Sequence, residues 1–187
     1  MRNKARFGAM CVVVLVLGII AGFGGYLEAS EKVVSAKDSL LWGTNAEPAS
    51  LDPAKSKDTV THMMMYQIYD ALVKEDPKDY NKLVPGLAER WEFNADGKEV
   101  TFHLRKGVKF HNGDEMTADD VFFSLQRSLD SSYSSGISGA IDHFEKAGDM
   151  AVKCVLKYPY SPILDVMTNM TYGIASKRAV QEAETKG

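Results

Sequence analysis

The segment "RWEFNADGKEVTFHLRKGVKFHNGDEMTADDVFFSLQRSL" (90–129) decides the fold class, because it contains signals for strands and for a helix. Apolar and polar residues alternate in 91–93 and again in 100–104, as in half-buried strands. The intervening "NADG" (94–97) is typical of a tight turn between antiparallel strands. After Thr117 the apolar residues recur at helical spacing. The segment therefore predicts a β-hairpin followed by an amphipathic helix, and a mixed α/β fold.

The acid-rich residues 111–120 raise the question of a metal or catalytic site. Thr117 occupies the position of a helix N-cap, and Asp120 stands three residues later, where it completes a capping box. Met116 and Val121 have the spacing of a hydrophobic staple around the same helix start. The acidic residues do not follow the alternation of oxygen ligands that a calcium loop requires. We therefore interpret this stretch as a helix start rather than a binding site.

The residues before the hairpin predict a short buried strand at 40–45, a proline-containing loop at 46–58 and a helix from Asp58 to about Val73. The helix is indicated by apolar residues at every fourth position: Val60, Met64, Ile68 and Leu72. Residues 74–86 are rich in turn formers and predict an irregular connection to the hairpin.

The residues after the central helix predict one more strand and then two short helices. Apolar side chains alternate on one face of this strand: Val152, Cys154, Leu156 and Tyr158. We expect Cys154 to be buried on that face. "PYSP" (159–162) ends the strand, because proline cannot donate to a strand ladder.

The charge balance excludes one class of partner. The chain of 187 residues has a formal charge of −3. Residues 1–29 contain three basic residues and one acidic residue, so the remaining chain carries 19 basic against 24 acidic residues. A protein that binds nucleic acid through phosphate contacts needs a basic surface. We therefore expect no nucleic-acid partner.

The N-terminal residues have the pattern of an export signal. Cationic residues in "RNKAR" (2–6) precede residues 7–27, which contain no charged side chain. This pattern predicts a signal peptide over 1–29, or else an uncleaved membrane anchor through 7–27. A polar linker over 30–39 follows. Both alternatives place the rest of the chain outside the cytoplasm, and we expect a periplasmic protein that meets the membrane only through its N-terminal segment.

The candidate catalytic and metal-binding residues form no recognised constellation. After removal of the signal peptide Cys154 is the only thiol, which excludes an intramolecular disulfide and a cysteine-based metal site. The four histidines lack paired helical spacing. His62 beside Met63–Met65 is the one hint of metal ligands, but a methionine run on a helix more often serves packing. We expect neither an enzyme nor a bound cofactor or metal.

Four segments, in this order and spacing, carry a resemblance to a known family: "SLDPAKSKD" (50–58), "YQIYDALVKED" (66–76), "LVPGLAERWEFNADGKEVTFHLRKGVKFHNGDEMTADDVFFSLQR" (83–127) and "VLKYPYSPILDVM" (155–167). The chain resembles the extracytoplasmic solute-binding proteins of ABC transporters, in the peptide/nickel-binding family (family 5). The resemblance covers about residues 40–187.

The resemblance implies a periplasmic-binding-protein-like fold of type II, in which two lobes close on a solute. Members of the family are well over twice this length, so we expect an N-terminal fragment that contains only part of the first lobe. Residues 40–75 are then the start of its core subdomain, and residues 76–187 are a truncated inserted subdomain.

The resemblance also implies a function and site residues. It implies a binding protein that carries an oligopeptide or dipeptide to the permease subunits of an ABC importer. The residues implied to contact the ligand are Asn45, Lys57, Asp58, Thr59 and Tyr133. The purely structural alternatives are a turn residue for Asn45 and a surface-loop tyrosine for Tyr133. Two other functions stay open at this point: a nickel-chelate or haem binder of the same family, and a membrane-anchored receptor domain.

Overall fold

The structure is a computed structural model, and it describes residues 43–186. The chain divides into two compact units, Met1–Asn45 and Ala46–Gly187. The predicted signal peptide or anchor (1–29) and the linker (30–39) lie outside the described residues. Between residues 43 and 186, no helix is long and apolar enough to span a bilayer.

The second unit combines short helices with antiparallel strands, so the prediction of a mixed α/β fold is confirmed. The helices and strands are, in chain order, α1 (Thr59–Met65), β1 (Val73–Asp76), β2 (Asp79–Pro85), β3 (Ala88–Phe93), β4 (Glu99–Leu104), α2 (Ala118–Leu129), β5 (Ile141–Lys146), β6 (Ala151–Leu156), α3 (Ile163–Val166) and α4 (Lys177–Lys186). Single 3₁₀ turns occur at Pro53–Lys55, Ser132–Ser134 and Met170–Tyr172.

A four-stranded antiparallel sheet with the order β3-β4-β6-β5 forms the centre of this unit. The predicted hairpin is its first half, with Trp91 paired to Phe102 across β3 and β4. Strand β4 also pairs with β6, where Phe102 lies opposite Val152. The helix α2 packs on the sheet and contributes Val121 and Leu125, both fully buried, to the core. A separate two-stranded sheet joins β1 to β2.

The predicted start of α2 is confirmed in detail. The backbone N–H of Asp120 donates to the Thr117 hydroxyl at 3.4 Å, and the backbone N–H of Thr117 donates to the Asp120 carboxylate at 3.0 Å. These two bonds form a capping box. Met116 and Val121 are buried on either side of it, as a hydrophobic staple requires. The acid-rich stretch therefore organises a helix terminus.

Replacing Thr117 by alanine is expected to lower the free energy of unfolding by about 1 kcal/mol, because a backbone donor of α2 loses its partner. Urea unfolding followed by circular dichroism measures this change. Glu115→Ala is the matched control, since Glu115 is an exposed neighbour outside the capping box and should cost less than about 0.5 kcal/mol. Equal losses for the two variants would contradict the capping role.

The predicted helix from Asp58 to Val73 is wrong in its second half. The helix α1 ends at Met65, and the next residue, Tyr66, caps it by donating its backbone N–H to the carbonyl of His62 at 3.0 Å. Ile68 is 39% exposed, so the predicted apolar stripe does not lie on one face. Leu72 lies in a bend and Val73 is the first residue of β1, and both are buried in the core without being helical.

Two shorter predictions also need correction. Residues 74–86 form most of the hairpin β1–β2 instead of an irregular turn region, with Val73 paired to Pro85. The predicted buried strand at 40–45 is not seen in its described part, because residues 43–45 are exposed and lack strand structure. Residues 40–42 lie outside the described chain.

The strand around Cys154 is confirmed except at its end. Cys154 is fully buried, and burial raises the pKa of its thiol to about 12, so the thiol stays protonated at neutral pH. Tyr158 is 50% exposed because β6 ends at Leu156, before the chain turns into Pro159. The prediction that Tyr158 shares the buried face is therefore wrong.

Candidate ligand-binding site

The first loop of the candidate site, residues 50–58, is fixed by its own side chains. The Asp52 carboxylate accepts a hydrogen bond from the backbone N–H of Ala54 at 3.1 Å and so caps the turn Pro53–Lys55. The buried hydroxyl of Ser56 donates to the Asp58 carboxylate at 2.6 Å. These bonds give a short loop a defined shape before any ligand binds.

Asp58, one of the predicted ligand residues, is the N-cap of α1. Its carboxylate accepts from the backbone N–H of Thr61 at 2.8 Å. Hydrogen bonds from the Ser56 and Thr61 hydroxyls and the Thr61 N–H lower the pKa of Asp58 to about 2. Both carboxylate oxygens therefore have partners within the loop and the first turn of α1. Lys57 and Thr59, on either side, are exposed.

The second loop of the candidate site, residues 130–135, carries Tyr133. Ser131 caps the turn Ser132–Ser134 by accepting from the backbone N–H of Tyr133 at 3.2 Å. The Ser131 hydroxyl also donates to the carbonyl of Ala54 at 2.5 Å, which ties this loop to the first one. The Tyr133 side chain is 42% exposed on this junction.

An ion pair between α2 and the first loop was not predicted from the sequence. The two terminal nitrogens of Arg127, on α2, donate to the two carboxylate oxygens of Asp52 at 2.6 and 2.7 Å. One of these nitrogens also donates to Glu184 of α4 at 3.0 Å. The Arg127 and Asp52 side chains are only 20% and 24% exposed. The proline after Asp52 predicts a turn, but no local sequence pattern predicts that Asp52 pairs with Arg127.

The protonation states of this pair follow from its surroundings. Burial alone would raise the pKa of Asp52, but the hydrogen bonds from Arg127 and from the Ala54 N–H lower it below its ordinary value. The pKa of Arg127 is raised, first by its hydrogen bond to Asp52. Both groups are therefore charged at neutral pH, and the pair combines two charge-assisted hydrogen bonds in one bidentate contact.

A cavity of about 570 Å³ opens where the two loops meet. Ala54 and Lys55 line it from the first loop, Tyr133 from the second, and Phe122 and Phe123 from α2. This volume lies in the range of small-molecule sites, roughly 300–1,000 Å³. The structure thus brings Tyr133 next to Lys55, whereas Lys57–Thr59 do not line this cavity. A larger cavity of about 870 Å³, mostly apolar, lies along α4 and is lined by none of the five predicted ligand residues.

Asn45 and the residues considered as metal ligands, His62 and Met63–Met65, do not line this cavity. Asn45 lies in the first unit and is exposed. His62 is half-buried, and its Nε2 is 3.4 Å from the Thr171 hydroxyl. Met65 is fully buried against Met170. Within residues 43–186, histidine, cysteine and carboxylate side chains form no cluster of three that could hold a metal ion.

The lowered pKa of Asp58 predicts an acid-dependent loss of stability. A carboxylate with a depressed pKa in the folded state stabilises the fold above its unfolded pKa of about 3.9, and this contribution is lost as the pH falls toward 2. Asp58→Asn keeps a capping oxygen but cannot titrate. The melting temperature of the wild type, relative to this variant, is therefore expected to fall between about pH 4 and pH 2.

Thermal unfolding of the two proteins from pH 6 to pH 2 measures this difference. Glu89→Gln is the matched control, because the exposed Glu89 side chain has no hydrogen bond or ion pair within the described part of the chain. A constant difference between wild type and Asp58→Asn over the whole range would show that Asp58 does not titrate with folding.

Comparison with known proteins identifies the family. The profile described as "Bacterial extracellular solute-binding proteins, family 5 Middle" matches residues 82–187. The chain therefore belongs to this family of solute-binding proteins, as the four sequence segments predicted. The fold agrees, since the unit resembles part of the first lobe of periplasmic binding proteins.

Individual relatives show the range of solutes in the family. The chain is 36% identical over 157 residues to di/tripeptide-binding protein 2 of Pseudomonas aeruginosa, and the match covers 73% of this chain and 29% of that protein. It is 41% identical over 108 residues to heme-binding protein A of Haemophilus influenzae, covering 54% and 20%. The peptide-bound structure of the periplasmic binding protein DppA from Helicobacter pylori matches with a TM-score of 0.67 and 30% identity, covering 75% and 31%. The chain thus spans less than a third of the length of these relatives.

Proposed function

We propose that this protein is the solute-binding component of an ABC importer, and that it binds short peptides outside the cytoplasmic membrane. The observation that carries the proposal is the match of 75% of the chain to a peptide-bound relative. The two loops support it, because they are held together around a cavity of suitable size, lined by Tyr133. The permease subunits of the importer would then receive the peptide.

The proposed mechanism is closure of two lobes on an extended peptide, with this chain contributing one wall of the cleft. In this proposal Lys57, Thr59 and Tyr133 contact the peptide, and Asp58 orients the start of α1 beside it. Residues 40–75 and 76–187 correspond to the core and inserted subdomains of the first lobe. Residues 1–29 direct export to the periplasm.

Nuclear magnetic resonance tests the proposal and locates the site, because it detects binding up to millimolar dissociation constants. The ¹⁵N-labelled protein is titrated separately with alanyl-alanine and with trialanine, each to about 10 mM. A dissociation constant of that size corresponds to a binding free energy near −3 kcal/mol. We expect saturating shifts of the backbone amides in residues 54–59 and 131–135. No shift at the highest concentration, or shifts confined to other regions, would overturn the proposal.

Tyr133→Ala is the informative variant, because tyrosines that become buried against a ligand often contribute a large share of the affinity. We expect it to weaken peptide binding by about tenfold. Tyr80→Ala is the matched control, since Tyr80 is 73% exposed in β2 and distant in sequence from both loops. Equal effects of the two tyrosine variants would remove Tyr133 from the site.

Haem binding is the second candidate function, favoured by the 41% identity to heme-binding protein A. Its candidate ligands in this chain are His62 and Met63–Met65. The surroundings of these residues favour packing, since Met65 is buried and His62 lies beside the Thr171 hydroxyl. Haemin in the same titration is expected to leave the His62 region unchanged. Signal loss around His62 that disappears in His62→Ala would favour haem instead.

A further inference from the structure

The Arg127–Asp52 pair joins parts of the chain that are 75 residues apart. It lies next to both loops of the candidate site, because Asp52 caps the turn Pro53–Lys55 and Arg127 precedes Ser131 by one helical turn. We propose that Arg127 is a positioning residue for the peptide site: through Asp52 it holds the loops 50–58 and 130–135 in their binding arrangement. This inference rests on the proposed function.

The geometry of the pair fits positioning better than simple charge compensation. Both terminal nitrogens of Arg127 engage both oxygens of Asp52, so the guanidinium plane fixes the orientation of the carboxylate as well as its distance. The hydrogen bond to Glu184 fixes the same guanidinium from the α4 side. The Asp52 oxygen that receives one arginine nitrogen also accepts the Ala54 N–H. A change in the pair therefore moves the turn that leads to Lys57 and Thr59.

The second loop depends on the same arrangement. The Ser131 hydroxyl donates to the carbonyl of Ala54, which lies inside the turn capped by Asp52. If Asp52 shifts, the acceptor of Ser131 shifts with it, and Tyr133 loses its fixed position over the cavity. The ion pair and the Ser131 hydrogen bond together therefore set the relative placement of the two loops. A site whose loops are already placed loses less entropy when ligand binds.

Two conservative variants separate positioning from charge. Arg127→Lys keeps the positive charge but loses the bidentate fork. Asp52→Asn keeps an oxygen that can cap Ala54 but loses the charge-assisted contact. Arg178→Lys is the matched control, because Arg178 also donates to an aspartate, Asp114, at 2.9 Å, but lines neither cavity. The proposal predicts a large effect for the first two variants and a small one for the third.

The test measures peptide dissociation constants by the same amide-shift titration with trialanine, at a temperature well below each melting temperature. Arg127→Lys and Asp52→Asn are each expected to raise the dissociation constant about tenfold, and Arg178→Lys less than about twofold. Without peptide, the amide signals of both Lys57 and Tyr133 are expected to differ from those of the wild type in Arg127→Lys and in Asp52→Asn, but not in the control variant. A purely structural ion pair would lower the melting temperature and leave the affinity of the folded protein unchanged.

The outcomes distinguish the inference from the function on which it rests. Wild-type affinity in Arg127→Lys, with unmoved signals of Lys57 and Tyr133, would overturn the positioning role while peptide binding stands. Absence of any trialanine binding by the wild type would overturn the proposed function itself. A loss of affinity in Arg178→Lys equal to that in Arg127→Lys would show that the effect is not specific to the Arg127–Asp52 pair, and would overturn the positioning role.

Discussion

Phe102→Ala is expected to lower the free energy of unfolding by about 3–5 kcal/mol, because it truncates a large side chain in the core. Phe102 is fully buried in the middle of β4, with Trp91 on one side and Val152 on the other. Its removal loses apolar burial and leaves a cavity in the hydrophobic core that the paired strands cannot close. Urea unfolding followed by circular dichroism and by tryptophan fluorescence measures the change.

Two further variants make this prediction specific. Phe93→Ala is the control of the same residue type, because Phe93 is 44% exposed at the end of β3, and it should cost clearly less. Phe102→Leu, which retains most of the volume, should cost about 1–1.5 kcal/mol and remain folded even where the alanine variant does not. A loss at position 102 no larger than that at position 93 would show that the core is not centred on β4.

Gly86→Ala is expected to cost about 2–4 kcal/mol, although the change adds only one methyl group. A Cβ atom at this position would lie 2.5 Å from the carbonyl oxygen of Ala71 and 2.9 Å from that of Leu72. Both contacts are with backbone atoms, so no side chain can rotate away. The backbone N–H of Gly86 donates to the Leu72 carbonyl at 3.1 Å, and relieving the clash would break this bond.

Gly136→Ala provides the comparison for this prediction, because no atom lies within 4 Å of a Cβ built there. That variant is expected to change the free energy of unfolding by less than about 0.5 kcal/mol. Thermal unfolding of both variants gives the difference. Equal stability of Gly86→Ala and Gly136→Ala would contradict the close backbone contact between Gly86 and residues 71–72.

Features set by neighbouring residues were predictable from the sequence. The β3–β4 hairpin follows from strand alternation around "NADG", where Asn94 accepts from the backbone N–H groups of Lys98 and Glu99, both at 3.0 Å. The start of α2 follows from Thr117 and Asp120, three residues apart. In both places the hydrogen-bonding groups that decide the structure lie within six residues of each other, so a short window contains the physical cause.

The error after Met65 has a different origin. Apolar residues at every fourth position fit a helix face, yet the same spacing also occurs where a chain leaves a helix and enters a strand. Leu72 and Val73 are buried by β2 and by the four-stranded core, which come later in the chain. Tertiary burial therefore decides the conformation there, and a local pattern cannot report it.

The contacts of the candidate site are even harder to predict from local sequence patterns. Asp52 and Arg127 are two ordinary charged residues in sequence, separated by 75 positions, and no periodicity connects them. Their pairing follows from the placement of α2 against the loop, which depends on the whole fold. The family resemblance pointed to Tyr133 and to the loop before α1, whereas the contacts that join these two regions needed the structure.

The order of the four-stranded sheet has a consequence for self-association. Its outer strands are β3 and β5, and each leaves one side of its backbone without a strand partner in the sheet. Strand β5 carries charged side chains, with the His143 ring held between Asp142 at 2.8 Å and Glu145 at 3.0 Å. Strand β3 carries Glu92 beside Arg90. Docking a strand from another molecule against either border would desolvate these charges, so the sheet carries its own protection against edge-to-edge aggregation.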